Sequence, residues 1–198
     1  KAWRFADGKW QEAELPRLPS GALEMTDQPW GGDVVYLAAS DFTTPLTLFA
    51  LDLNVMELTV MRCQPQQFVS DGIEVRQFWA VSSDGERIPY FHVGKNAVPD
   101  TPTLVYAYGG FGVPELPHYL GSIGKYWLEE GNAFVLANIR GGGEFGPRWH
   151  QAAQGISKHK SVDDLLAVVR DLSERGMSSP EHIGLQGGSN GGLITAAA

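Results

Sequence analysis

In the larger, C-terminal part of the chain, apolar runs alternate with helix-like segments. Residues 104–108 (LVYAY) and 133–137 (AFVLA) are continuously apolar, which predicts strands buried on both faces of a parallel sheet. Residues 119–130 predict a helix. A second helix is predicted to begin with a capping box at Ser161 and to end at Gly176. This alternation predicts an α/β architecture with right-handed crossovers.

The N-terminal part of the chain has a different pattern, with short strand-like runs and no useful helical period. Residues 33–39, 46–51 and 57–62 predict three strands separated by turn signals. Antiparallel strands at this spacing suit a sandwich or one blade of a β-propeller. A single blade cannot bury its own faces, so we expect this segment to be the end of a larger all-β module.

A polar stretch at residues 64–67 (QPQQ) predicts the boundary between two domains, 1–68 and 69–198. Shortly after it, residues 73–81 and 87–93 flank an Asp-Gly turn, which is a strong hairpin signal. The second domain is therefore expected to begin with an antiparallel hairpin at one edge of its sheet.

Composition excludes several classes of function. The 198 residues are 43% hydrophobic, and the formal net charge of 15 − 23 = −8 argues against nucleic acid or an anionic membrane as a partner. The single Cys63 excludes an internal disulfide and a cysteine-based metal cluster. The acidic pair Asp163-Asp164 is interpreted as a helix N-terminus, and neither a metal nor a cofactor is predicted.

Localisation is only weakly indicated by the sequence. No apolar run approaches the length of a transmembrane span. The N-terminus has neither a methionine nor a signal-peptide pattern, so we expect the true N-terminus to lie upstream. The cytoplasm is favoured, and the periplasm stays open.

Residues 187–192 (GGSNGG) carry the strongest candidate chemistry. They follow a short apolar run and precede helix-forming residues, which predicts a strand, a sharp turn and a helix with Ser189 at the apex. This pattern is typical of the nucleophile elbow of α/β-hydrolases, in which flanking glycines relieve crowding at a strained turn. The alternative is ordinary Gly/Ser/Asn turn chemistry.

A serine nucleophile needs an imidazole base and an orienting carboxylate, which follow the serine along the chain in this fold. Only nine residues follow Ser189, and none of them is acidic or a histidine. Five histidines lie upstream: His92, His118, His150, His159 and His182. We therefore expect the sequence to be a fragment that is inactive alone, unless the assignment of Ser189 as the nucleophile is wrong.

An oxyanion hole can be predicted in part. One donor is expected to be the backbone N–H of Asn190, the residue after the nucleophile. A second donor is expected from the loop after residues 104–108, where the hydroxyl of Tyr108 could point into the site. The alternative for Tyr108 is a packed aromatic at a strand end, and Phe111 could equally line a substrate pocket or pack in the core.

The glycine-rich segment 140–150 does not fit a phosphate-binding loop, because its spacing is wrong and no lysine follows closely. We interpret it as a conformationally demanding loop braced by an Arg140–Glu144 ion pair. His150, beside Trp149, is the one histidine singled out for closer inspection.

Three motifs together resemble the prolyl oligopeptidase family. They are residues 106–111 (YAYGGF), 137–144 (ANIRGGGE) and 187–192 (GGSNGG). The resemblance implies that residues 69–198 form the N-terminal half of an α/β-hydrolase catalytic domain. It also implies that residues 1–68 are the last blade of a seven-bladed β-propeller.

The resemblance further implies a serine peptidase that cleaves short peptides, commonly after proline. Ser189 matches the nucleophile, the Tyr108 hydroxyl and the Asn190 N–H match the oxyanion donors, and Phe111 matches an aromatic residue of the proline pocket. An esterase or acylaminoacyl-type peptidase of the same fold, or a non-catalytic module, are the alternatives.

Overall fold

The computed structural model describes residues 2–27 and 32–198, which form two compact units. One unit comprises the chain up to Gln66 together with Pro117–Leu120. The other comprises Gln67–Leu116 and Gly121–Ala198. The segment 1–68, predicted as a propeller blade, includes residues 1 and 28–31, which lie outside the described residues.

The first unit is made of antiparallel strands. These are β1 (Ala2–Ala6), β2 (Lys9–Ala13), β3 (Ala22–Asp27), β4 (Val34–Ser40), β5 (Thr47–Asp52) and β6 (Glu57–Cys63). β1 pairs with β2, and β3 to β6 form a four-stranded sheet in sequence order. Val35, Leu37 and Leu51 form its buried core. The three predicted strands are confirmed as β4 to β6, whereas β1 to β3 were not predicted.

The second unit combines a five-stranded sheet with helices. Its strands are β7 (Glu74–Val81), β8 (Arg87–Gly94), β9 (Thr103–Ala107), β10 (Ala133–Ala137) and β11 (Ile183–Gln186). Its α-helices are α1 (Gly121–Ile123), α2 (Pro147–Gln151), α3 (His159–Glu174) and α4 (Asn190–Ala197). The predicted hairpin is confirmed as β7 and β8.

Sheet order explains how distant parts of the sequence meet. The strands lie in the order β11-β9-β10-β8-β7, and β9, β10 and β11 are parallel. Ala137 pairs in register with Ala107, and Gln186 pairs with Tyr106. The carboxyl ends of these three strands therefore lie side by side, so the loops that follow them emerge at one edge of the sheet.

Two helices differ from their predictions. The segment predicted as one helix over 119–130 forms α1 followed by a π-helical turn at Gly124–Leu128. A Cβ at Gly124 would lie 2.2 Å from the Phe68 ring, so the ring packs directly on the backbone there. α3 begins at His159, and the Ser161 hydroxyl donates to the carbonyl of Arg140 at 2.7 Å instead of capping the helix.

In the part of the chain that the structure describes, no helix is long and apolar enough to cross a membrane. The same residues contain no group of three or more His, Cys, Asp or Glu side chains that could hold a metal ion.

Candidate active site

Ser189 occupies a strained turn between β11 and α4. Its backbone angles are φ +49° and ψ −114°, a region that serine rarely adopts. Such a conformation costs about 1–3 kcal/mol and persists only where the surrounding structure holds it in place. The predicted strand, sharp turn and helix are thus confirmed, and the side chain at the apex is exposed.

Close backbone packing holds this turn. A Cβ on Gly191 would lie 2.3 Å from the carbonyl oxygen of Ala107, at the end of β9. A Cβ on Gly187 would lie 2.3 Å from the carbonyl carbon of Gly191. Real Cβ atoms do not approach so closely, so the start of α4 lies directly against the end of β9 because these positions lack side chains.

Asn190 connects the serine turn to the loop after β9. Its side-chain Nδ2 donates to the backbone carbonyl of Tyr108 at 2.6 Å. A Cβ on Gly110 would lie 2.4 Å from the same Nδ2 atom, so the amide also packs closely on this loop. The structure therefore brings Asn190 and Tyr108 together, while their roles as oxyanion donors stay predictions.

Phe111 lies on the same loop with 75% of its surface exposed and a positive φ of +54°. It does not pack in the core, which removes one of the two alternatives for this residue. Phe111 and Asn190 instead line a cavity of about 210 Å³. The other lining residues are Gly141, His150, Ala153, Gln154, Gly155 and Lys158. Ser189 and Tyr108 are not part of this lining.

His150 has a positioning role in the loops around this cavity. Its Nδ1 lies 2.8 Å from the carbonyl of Gly141, and its Nε2 lies 2.6 Å from the amide nitrogen of Gln154. Because a carbonyl only accepts, Nδ1 carries the proton and Nε2 accepts from the glutamine. Both ring nitrogens are therefore used within the chain.

Arg140 forms a buried ion-pair network that corrects the sequence prediction. Its side chain, 3% exposed, donates to both carboxylate oxygens of Asp164 at 2.9 and 2.6 Å and to Asp84 at 2.6 Å. The hydrogen bonds to Asp164 raise the pKa of Arg140, and those from Arg140 hold the pKa of Asp84 well below its usual range. The predicted Arg140–Glu144 pair is wrong, and Asp164 is a buried partner of Arg140 in the first half of α3.

Glu144 instead joins two loops at the same sheet edge. Its Oε1 accepts from the backbone N–H of Glu115 at 3.0 Å and from Nδ2 of Asn138 at 3.2 Å. Burial raises the pKa of the Glu144 carboxyl group. The glycine-rich loop after β10 is thereby fastened to the loop that carries Phe111.

Lys158 is a site residue that the sequence analysis missed. Its ammonium group donates to the carbonyl of Gly109 at 2.7 Å, within the loop after β9. Burial lowers its pKa. The contact spans 49 positions of sequence, and no local motif indicates it.

A serine on a strained turn between a parallel strand and a helix, at the carboxyl edge of the sheet, is the geometry typical of serine hydrolases. Comparison with known proteins narrows this class. Residues 120–198 match the family model described as "Prolyl oligopeptidase family". The chain belongs to the prolyl oligopeptidase family, which is a family of serine peptidases.

Individual relatives agree with this assignment. An uncharacterized peptidase from Sinorhizobium fredii is 39% identical over 197 residues, which are 98% of this chain and 27% of that protein. A post-proline cleaving enzyme from Rickettsia typhi has a TM-score of 0.83 and 34% identity, over 99% of this chain and 29% of that one. Prolyl oligopeptidase B from Galerina marginata, bound to a 35-residue hydrolysis and macrocyclization substrate, has a TM-score of 0.83 and 26% identity, over 94% and 27%. The chain spans about a quarter of the length of the curated relatives it matches.

Proposed function

We propose that this chain is part of a serine oligopeptidase that hydrolyses short peptides after proline through an acyl-enzyme on Ser189. The observation that carries the proposal is the strained serine turn, tied through Asn190 to the carbonyl of Tyr108. Strain at an exposed serine costs stability, and such strain clusters where it serves function.

The proposed chemistry is acyl transfer. The Ser189 Oγ attacks the carbonyl carbon of the scissile bond while a base takes its proton, and the carbonyl oxygen becomes an oxyanion. The Asn190 N–H and the Tyr108 hydroxyl donate to that oxyanion. The C–N bond then breaks, the amine leaves with a proton, and water hydrolyses the ester on Ser189. We assign neither the base nor its orienting carboxylate to a residue of this chain.

The finer fold assignment belongs to the same proposal. We infer that residues 69–198 are the first half of an α/β-hydrolase domain and that residues 1–68 are the last blade of a β-propeller. The parallel order β11-β9-β10 supports the first inference, and the four-stranded antiparallel sheet β3 to β6 supports the second.

Substrate class is inferred from the family and from the exposed aromatic residue. The post-proline cleaving enzyme from Rickettsia typhi and the peptide-bound Galerina enzyme both indicate peptides as substrates. Phe111, at the wall of the cavity, offers an aromatic surface on which a proline ring could pack.

The test uses the gene product that contains this chain, treated with a fluorophosphonate probe that reacts with activated serines. We expect labelling of the wild type and none in Ser189→Ala. Ser179→Ala is the matched control, because Ser179 Oγ lies 2.8 Å from the His182 Nδ1 but the residue has ordinary extended backbone angles. Labelling that survives in Ser189→Ala, or is absent from the wild type, would contradict the nucleophile assignment.

Substrate preference is tested in the same preparation. Peptides with proline before the scissile bond, matched peptides with alanine there, and simple esters are offered side by side. We expect the highest kcat/KM for the proline peptides. Faster turnover of the esters alone would favour an esterase, and no turnover together with no labelling would favour a non-catalytic module.

A further inference from the structure

The loop after β9 is held at two successive carbonyl groups from two different elements. Asn190, at the start of α4, donates to the carbonyl of Tyr108, and Lys158, just before α3, donates to the carbonyl of Gly109. Two hydrogen bonds to adjacent peptide units fix the orientation of the segment that carries the Tyr108 side chain.

Tight packing around Gly109 leaves this segment little room for another backbone conformation. Gly109 has a positive φ of +56°, and a Cβ there would lie 2.6 Å from the side chain of Ile139. A Cβ on Gly141 would lie 2.2 Å from the Gly109 carbonyl oxygen. The Gly109 carbonyl, which accepts from Lys158, therefore packs against the backbone of Gly141, where a side chain would not fit.

The environment of Lys158 is unusual for a lysine. The side chain is half-buried, and burial lowers its pKa. Among the described residues no carboxylate forms an ion pair with it, whereas Lys160, two positions on, pairs with Asp84 at 3.1 Å. The partly desolvated ammonium group of Lys158 therefore donates to a backbone carbonyl instead of forming a surface ion pair. Its contribution is to hold the position of that carbonyl.

We propose that Lys158 is a positioning residue that, with Asn190, holds the Tyr108–Gly109 segment so that the Tyr108 hydroxyl meets the oxyanion formed at Ser189. This inference rests on the proposed function. Displacement of a catalytic group by about 1 Å can cost about 100-fold in rate, so a hydrogen bond to the carbonyl of the residue next to Tyr108 can control turnover.

The test compares Lys158→Met with Lys158→Arg and with the matched control Lys160→Met in the gene product that contains this chain. Lys158→Met removes the donor, and we expect kcat to fall about 10- to 100-fold while KM changes less than about threefold. Lys158→Arg restores a donor and should recover most of kcat. Lys160→Met should leave kcat unchanged.

A double-mutant cycle identifies the residue through which Lys158 acts. If Lys158 works through the Tyr108 hydroxyl, Lys158→Met should slow the enzyme much less in a Tyr108→Phe background than in the wild type. Equal effects in both backgrounds, or a wild-type kcat in Lys158→Met, would overturn the inference.

Fluorophosphonate labelling distinguishes a failure of the role proposed for Lys158 from a failure of the proposed function. A wild type labelled at Ser189, with an unchanged labelling rate in Lys158→Met, refutes the role of Lys158 and leaves the proposed function intact. An unlabelled wild type refutes the proposed function and this inference with it. A Lys158→Met variant that fails to fold is replaced by Lys158→Gln, for which the same slowing and the same dependence on Tyr108 are expected.

Discussion

Asp164→Asn is expected to destabilise the second unit far more than Asp163→Asn, the same change at the neighbouring residue. Asp164 is fully buried and accepts hydrogen bonds from the Arg140 Nε (2.9 Å), Nη2 (2.6 Å) and backbone N–H (3.0 Å) and from the Ser82 hydroxyl (2.6 Å). Removing the charge of one member of a buried pair costs about 3–5 kcal/mol, because its partner stays buried. The neighbouring Asp163 instead accepts from the exposed Ser83 hydroxyl at 3.1 Å, where a loss of about 0.5 kcal/mol is typical.

Hydrogen exchange followed by mass spectrometry measures this difference locally, in peptides that cover β10 and α3. At about 1.4 kcal/mol per tenfold change, we expect protection in Asp164→Asn to fall roughly 100- to 3,000-fold. Asp163→Asn carries the same change in formal charge and should lower protection by no more than about threefold. Equal losses in the two variants would show that the Arg140 network does not stabilise the unit.

Two further predictions concern the serine turn and pH. Gly191→Ala should destabilise the second unit by about 1–3 kcal/mol or more and abolish probe labelling, because its Cβ would meet the Ala107 carbonyl oxygen at 2.3 Å. Gly188→Ala is the control, since nothing lies within 4 Å of a Cβ there, and equal loss in both contradicts the packing argument. Burial lowers the pKa of His92 from 6.5 to about 4, so between these values the unfolded state binds a proton that the folded state does not. Stability should therefore fall by up to about 3 kcal/mol as the pH drops from 7 to 4, and His92→Gln, unlike the exposed control His159→Gln, should reduce that dependence in urea unfolding.

The sequence predicts those features whose cause is local. The apolar runs predict β9 and β10, and the glycine spacing around Ser189 predicts the strand, turn and helix, because these depend on neighbouring residues. β1 to β3 were missed although Leu23 and Met25 alternate with polar residues on β3, because these strands are only five or six residues long, and five of the six side chains on β3 are exposed. The predicted helix over 119–130 is shorter and contains a π-helical turn at Gly124–Leu128, where the Phe68 ring packs on Gly124, and no local pattern reveals that contact.

Partners distant in sequence could not be predicted from spacing. Glu144 lies four positions from Arg140 and has the opposite charge, so local reasoning pairs them. The fold instead offers Arg140 a carboxylate 24 positions away and another 56 positions away. Similarly, Lys158 reaches Gly109 only because the fold brings the turn before α3 beside the loop after β9.

The strand order has a consequence for synthesis of the protein. The ribosome completes β8, β9 and β10 before β11, so β9 has one paired side and one open side while the remaining residues emerge. When β11 is made, it adds to that open side, and its in-register pairing brings Ser189 beside a loop whose Gly109 carbonyl already accepts a hydrogen bond from the earlier residue Lys158. We therefore expect the serine turn to form only after β9 and β10 are in place, and Asn190, made directly after Ser189, to add its hydrogen bond to the Tyr108 carbonyl in the same step.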